Sequence, residues 1–139
     1  MAYRTQRRVE FRDTDAAGIV HFSAFFPMME AAEHEMLRSV GISVMPRGDA
    51  VDAVTWPRVA ANCQYRSAAR FEEVLQIDVT IDRLGDSSVT YGMRFEREGQ
   101  LIAEGQITAV CCRLHRDGSG GGLEKVAIPP AIRELLQGI

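Results

Sequence analysis

The chain has 139 residues, 46% of them apolar and 25% charged, with a net charge of -3; this is the size and balance of one globular domain, residues 1–139, rather than of a disordered or low-complexity chain. The scattered arginines form no basic stripe, so no nucleic acid partner is expected. No apolar run approaches the roughly 20 residues that cross a bilayer, so no membrane partner is expected either.

The basic N-terminus runs into an alternating segment rather than an apolar stretch, so it does not read as a secretory signal, and a cytoplasmic location is expected. Cys63, Cys111 and Cys112 cannot all pair within the chain and lack CxxC spacing. They are expected to be reduced and buried. His21, His34 and His115 do not cluster with them, and no metal site is expected.

Tyr3 to Phe11 reads as a first strand in which Val9 and Phe11 alternate with charged neighbours. The turn formers of Asp13 to Gly18 follow, with Gly18 best suited to a positive φ. From about Ser23 to Val40, Phe25, Met29, Ala32, Met36 and Val40 recur at helical spacing, widened by Phe26, Met28 and Leu37. Gly41 stands where a C-terminal cap belongs. Pro27 marks the first turn or a kink. Ala31, His34 and Arg38 fall opposite the apolar stripe, while Glu33 projects into it and Glu30 lies at its margin.

Ser43 to Asp49 reads as a loop, and Val51 to Tyr65 as an extended segment bent or held at an edge by Pro57. Ile77, Val79 and Ile81, then Gly85-Asp86, then Val89, Tyr91, Met93 and Phe95 describe a hairpin. A turn at Glu98-Gly99-Gln100 leads to Leu101–Leu114, read as a central strand. Asp117 to Gly122 reads as a flexible loop, and Pro129-Pro130 as the start of a short helix reaching about Leu136. One long apolar helix inserted after the first strand of an antiparallel meander implies an α+β fold with the sheet wrapped on that helix.

The stretch Asp13-Thr14-Asp15-Ala16-Ala17-Gly18-Ile19-Val20-His21-Phe22 runs a carboxylate loop directly into a helix. Free amides at a helix N-terminus can hold a developing oxyanion, and a carboxylate beside them can attack a carbonyl or activate water. An Asx turn that merely caps the helix explains the same residues on pattern alone.

That stretch, with Glu30, Glu35-Met36-Leu37-Arg38, Asn62-Cys63-Gln64-Tyr65, Ala69 to Leu75 and Ile128-Pro129, resembles the 4-hydroxybenzoyl-CoA thioesterase family of the hotdog fold over almost the whole chain. The resemblance implies an antiparallel sheet of about five strands around one long central helix, and hydrolysis of an acyl or aroyl thioester. It implies Asp15 as nucleophile or general base and the Phe22 amide as the oxyanion donor. Gly18, His21, Glu30 and Asn62 match positions that would contact or orient substrate. The family often has Tyr-His where this chain has His21-Phe22, so the histidine is displaced by one residue.

No cofactor is implied, coenzyme A being part of the substrate, and a homodimer or homotetramer is. Glu33 has no counterpart in the resemblance; it reads either as the partner of a buried arginine or as a pocket-lining carboxylate. Surface arginines, among them Arg58, Arg66, Arg94, Arg97 and Arg116, could contact phosphates, but no spacing singles one out. Two other functions stay open. A hotdog dehydratase would use His21 with Glu30 or Glu33, though Phe22 is not followed by Pro-Gly. A non-catalytic acyl-CoA-binding protein of the regulator type would carry a helix-turn-helix ahead of the first strand, and none is expected here.

Overall fold

The computed structural model describes residues 2–45, 53–115 and 117–139. Strand β1 (Tyr3–Arg8) is followed by a 3-10 turn at Phe11–Asp13 and a second at Phe22–Ala24, which runs straight into helix α1 (Phe25–Ser39). The first strand is shorter than its alternation suggests. Asp13 Oδ2 accepts the Glu10 amide at 2.8 Å and the Asp13 amide donates to Glu10 O at 2.9 Å, and this local closure competes with the sheet ladder. Val9 stays buried, but Phe11 is 78% exposed and packs edge-on against Phe71 instead of entering the core.

Helix α1 buries the expected stripe: Met29, Ala32 and Met36 are fully covered and Phe25, Met28 and Leu37 nearly so. Each such side chain contributes about 1.5–3 kcal/mol relative to exposure, apart from the smaller alanine. Pro27 lies in the first turn, where its missing N–H breaks no helical bond. At the other end Gly41 takes φ +85, the Gly41 amide reaches Arg38 O at 3.0 Å and the Ile42 amide reaches Leu37 O at 2.9 Å. This is the paired closure of a glycine-terminated helix, and Ile42 is buried by it.

After β2 (Val54–Thr55) and β3 (Arg58–Tyr65), strands β4 (Val74–Leu84), β5 (Ser88–Arg97) and β6 (Gln100–Val110) form the antiparallel meander. The strand order is β1-β4-β5-β6-β3, so β6 is interior and β3 is an edge, as the pattern and Pro57 indicate. Inward residues Ile77, Val79, Tyr91, Met93 and Phe95 share one core with α1. The alternate residues Asp78, Thr80 and Arg94 face outward, as a period of two requires. Gly105 of β6 lets the helix come close: a Cβ there would lie 2.9 Å from Met29 Cε and would collide with Asn62 O.

The reading of Leu101–Leu114 as one strand is corrected. The chain leaves the main sheet at Cys111, whose amide donates to Ser87 O at 2.7 Å and whose carbonyl accepts from the Val126 amide at 3.0 Å. Strand β7 (Cys112–Leu114) then joins a second sheet, β2-β7-β8, with β8 at Leu123–Lys125. Ser119–Gly122 forms a 3-10 turn before β8, and helix α2 (Pro130–Gln137) closes the chain. Arg133 of α2 donates to Gly85 O at 2.7 Å and to Asp86 O at 3.2 Å, fastening the helix to the β4–β5 turn. Cys111 and Cys112 are buried free thiols, whereas Cys63 is only half-buried on β3, which among the described residues pairs with β6 alone. Arg116 and the greater part of the Ser43–Asp49 loop, with Val51, lie outside the described residues.

Candidate active site

The carboxylate loop is knotted to itself by short backbone bonds. Thr14 and Val20 form an antiparallel bridge, the Asp15 amide donates to Ile19 O at 3.0 Å and the Gly18 amide to Asp15 O at 2.9 Å. Gly18 takes φ +79 to close this turn, a conformation that costs glycine little. Asp15 Oδ1 accepts the Ala17 amide at 2.8 Å. The Asx turn is therefore real, but it occupies one carboxylate oxygen; Oδ2 has no partner among the described residues.

The loop is also tied to its surroundings. The Val20 amide donates to Ala69 O and the His21 amide to Asp13 O, both at 2.8 Å, and Ile19 bridges Arg70. The chain then turns into the 3-10 segment, whose first amide, that of Phe22, donates to no acceptor among the described residues. The positive end of the helix dipole lies there. The Phe22 carbonyl is engaged: Tyr65 Oη donates to it at 2.7 Å, while the Tyr65 ring packs 5.5 Å from that of Phe25.

Asp15, Phe22, Phe25 and Tyr65, with the segment 66–69, line one cavity of about 370 Å³. Larger grooves exist elsewhere among the described residues, among them one of about 450 Å³ on the outer sheet face, one of about 700 Å³ on the far side of the loop and one of about 440 Å³ lined by Gln6, Glu73, Val74 and Arg97. Size does not pick out the site; the free carboxylate oxygen and the free amide do. Together they provide a nucleophile or base and a donor for a tetrahedral oxyanion.

The other sequence candidates are placed differently. Gly18 shapes the loop without lining the cavity, and His21 faces the groove on the far side. His21 Nδ1 accepts the Ser23 amide at 3.2 Å and lies 2.7 Å from Ser23 Oγ, so the imidazole caps the turn. Glu30 is exposed on α1 and lies 3.6 Å from Arg58 Nη2. Asn62 lines the outer groove, away from Asp15. Glu30 and Asn62 do not line the Asp15 cavity.

Tyr65 is the site residue that the sequence reading missed, while Phe25 belongs to the apolar stripe it read. The alternation of β3 carried the signal, since residues 63 and 65 must share the face opposite 62 and 64. Arg66 also lines the cavity, though it is engaged with Gln64 and Glu104. Arg58, Arg94 and Arg97 are held by carboxylates of the chain.

Glu33 takes the first of its two expected roles. It is completely buried, with Arg58 Nη1 2.8 Å from Oε2, and Arg58 Nη2 reaches His34 Nε2 at 3.3 Å. Burial pushes the Glu33 carboxyl up to about 7 against the opposing pull of Arg58. The same burial, then the Glu33 charge, raises the Tyr91 phenol. Burial lowers His34, which fits a neutral ring accepting from Arg58. This cluster does not line the Asp15 cavity.

The chain is similar to thioester hydrolases. The 1,4-dihydroxy-2-naphthoyl-CoA hydrolase of Synechococcus sp. strain CC9605 is 29% identical over 94% of this chain and 87% of its own length. A gentisyl-coenzyme A thioesterase of known structure is 29% identical, with a TM-score of 0.79 over 94% of this chain and 99% of that one. The 4-hydroxybenzoyl CoA thioesterase of Pseudomonas sp. strain CBS-3 is 22% identical and superposes with a TM-score of 0.84 over 96% of this chain and 98% of that one, a likeness of fold. The profile of the Thioesterase-like superfamily matches residues 9–136, and the chain, an α+β hotdog fold, belongs to that superfamily.

Proposed function

We propose that the protein is an acyl-CoA thioesterase that hydrolyses an acyl or aroyl thioester to the free acid and thiol, with Asp15 as nucleophile or general base. One observation carries this reading. Asp15, whose second carboxylate oxygen has no partner among the described residues, and Phe22, whose amide has no acceptor among them, line the same cavity just before α1. As a base, Asp15 would take a proton from water while the hydroxyl attacks the thioester carbon. The Phe22 amide would donate to the resulting oxyanion, and collapse would expel the thiolate, which takes up a proton. Superfamily membership and the names of the relatives support a coenzyme A thioester as substrate. A dehydratase finds less support, because His21 is occupied as a cap and lies outside the cavity.

The test is a panel of aliphatic and aromatic acyl-CoA substrates with released thiol as the readout. Thiol release from at least one class is expected; binding without turnover would favour an acyl-CoA-binding protein, and an enoyl product without thiol would favour a dehydratase. Tyr65→Phe removes the hydrogen bond that holds the Phe22 peptide. A loss of roughly 1 kcal/mol at the donor corresponds to a fall in kcat of about fivefold, measured at saturating substrate.

We also read the protein as a cytoplasmic homodimer or homotetramer with the site at a subunit boundary. Among the described residues no helix is long and apolar enough to cross a membrane. Among the described residues strand β3 pairs on one side only and presents exposed Val59 and Tyr65, the second of which lines the cavity. Light scattering should give at least twice the 15.4 kDa chain mass. A fully active monomer at micromolar concentration would exclude this assembly.

A further inference from the structure

We propose that Arg97 is a positioning residue for this reaction: through Glu73 and Gln100 it holds the 66–70 segment, whose residues 66–69 line the same cavity as Asp15 and whose Ala69 carbonyl accepts the Val20 amide. This rests on the hydrolase reading above. The segment has little regular structure of its own. It leaves β3 with the Arg66 and Ser67 amides both on Ile102 O, at 2.8 and 3.1 Å, and ends at Glu72, a non-glycine residue at φ 72. A positive φ in a glutamate persists only where the surroundings impose it.

Glu72 itself is held by its amide on Val9 O at 2.9 Å and by Arg8 Nη1, which donates to its carbonyl at 2.9 Å, and the residues that flank it are held by Arg97. Its Nη1 donates to Glu73 Oε1 and Oε2 at 2.8 and 2.9 Å and to Ala68 O at 3.1 Å. Nη2 donates to Gln100 Oε1 at 2.6 Å, and Gln100 Nε2 reaches Ser67 Oγ at 3.2 Å. Glu73 in turn accepts the Arg70 amide at 2.5 Å. One guanidinium thus fixes the segment at Ser67, Ala68 and Arg70, with about three-quarters of both charged side chains removed from solvent. A pair so held is worth more than an exposed one, and the planar fork gives directions that a point charge cannot.

The contact continues to the chemistry. Ala69 O accepts the Val20 amide at 2.8 Å, and two residues later comes the free amide of Phe22. Neither Arg97 nor Glu73 lines the cavity; both line a separate groove of about 440 Å³, and their link to the site is the backbone they brace. A displacement of the oxyanion donor by a fraction of an ångström is costly, because its value depends on position.

The experiment measures kcat and KM for acyl-CoA hydrolysis together with amide exchange at Val20, in the full-length protein and in Arg97→Ala and Arg97→Lys. Arg97→Ala is expected to lower kcat about tenfold with KM changed less than about threefold. Val20 exchange should speed up about tenfold while the amides of β4 keep their protection. Arg97→Lys, which keeps a charge on Glu73 but loses the fork to Ala68 and Gln100, should fall between; it also keeps the test open if the alanine variant does not fold. Wild-type kcat and wild-type Val20 exchange in both variants would overturn the proposal, as would a lowered melting temperature with kcat unchanged well below it. If the unaltered protein releases no thiol from any acyl-CoA, the hydrolase reading fails on its own, and Val20 exchange alone decides whether Arg97 braces the loop.

Discussion

Asp15→Asn is expected to lower kcat by about 10²-fold or more while leaving the fold and most substrate binding intact, the scale of losing a base or nucleophile. Asparagine keeps an oxygen for the Ala17 amide, so the turn that shapes the loop survives and the loss is chemical rather than structural. Asp15→Ala, measured beside it, removes the turn bond as well and guards against deamidation of the asparagine. His21→Ala should cost far less in kcat, since the imidazole caps the 3-10 turn and lies outside the cavity. Wild-type hydrolysis in both Asp15 variants would leave this residue only its turn-forming role. The reverse ranking of the Asp15 and His21 variants, with an enoyl product, would instead point to a dehydratase.

The second large effect concerns stability. Arg58→Ala strands Glu33 in the core without its countercharge, and the loss expected at pH 8 is about 3–5 kcal/mol, measured by urea unfolding. At pH 5 the loss should shrink, because the carboxyl is then protonated. The sign for the unaltered protein follows from Glu33 being raised from 4.5 to about 7 in the fold. Between those values the folded state holds more protons than the unfolded one, so stability falls as pH rises. The contribution is fully present below about 4.5 and lost by the time pH has passed 7, an effect of about 3 kcal/mol at 1.36 per pH unit.

Other groups face this carboxyl. Glu30 adds to the upward shift, Arg58 opposes it, and the Tyr91 phenol lies within reach of its charge. His34, lowered by burial, contributes the opposite slope, with stability lost as pH falls below about 6.5. The difference between the unaltered protein and Glu33→Gln therefore isolates Glu33. Equal slopes for the two would show that Glu33 does not titrate in this window.

For several elements whose form depends on neighbours close in sequence, the pattern was sufficient. The α1 stripe, the glycine closing it, the Gly85-Asp86 hairpin and the Pro130 helix start all follow from spacings of a few residues. The departure at Cys111 was hidden because the groups that redirect the chain, Ser87 O and the Val126 amide, are remote in sequence. Phe11 misled for the opposite reason: a local bond between Glu10 and Asp13 overrode its apolar character.

At the site, the Asp15 loop and the Phe22 amide were legible because both belong to one continuous stretch. Tyr65 and Arg97 act from other strands, and their contacts with Phe22 O and Ala68 O exist only once the sheet has formed. Asn62 shows the same limit, since its position in a matching motif did not place it beside Asp15.

The close approach at Gly105 also restricts how a lineage of this protein can change. At Gly92 the nearest atoms that an added methyl would meet belong to the Asp82 side chain, which must give up its hydrogen bonds from Thr80 Oγ1 and Gln106 Nε2 to make room. At Gly105 the obstruction has two parts, Met29 Cε and the main-chain oxygen of Asn62. Shortening residue 29 removes the first, but no single substitution removes a carbonyl. Alanine at 105 is thus reachable only through intermediates in which the edge strand has already shifted, and such intermediates lose packing before they gain anything. Sequence drift should therefore sample position 92 and leave 105 as glycine.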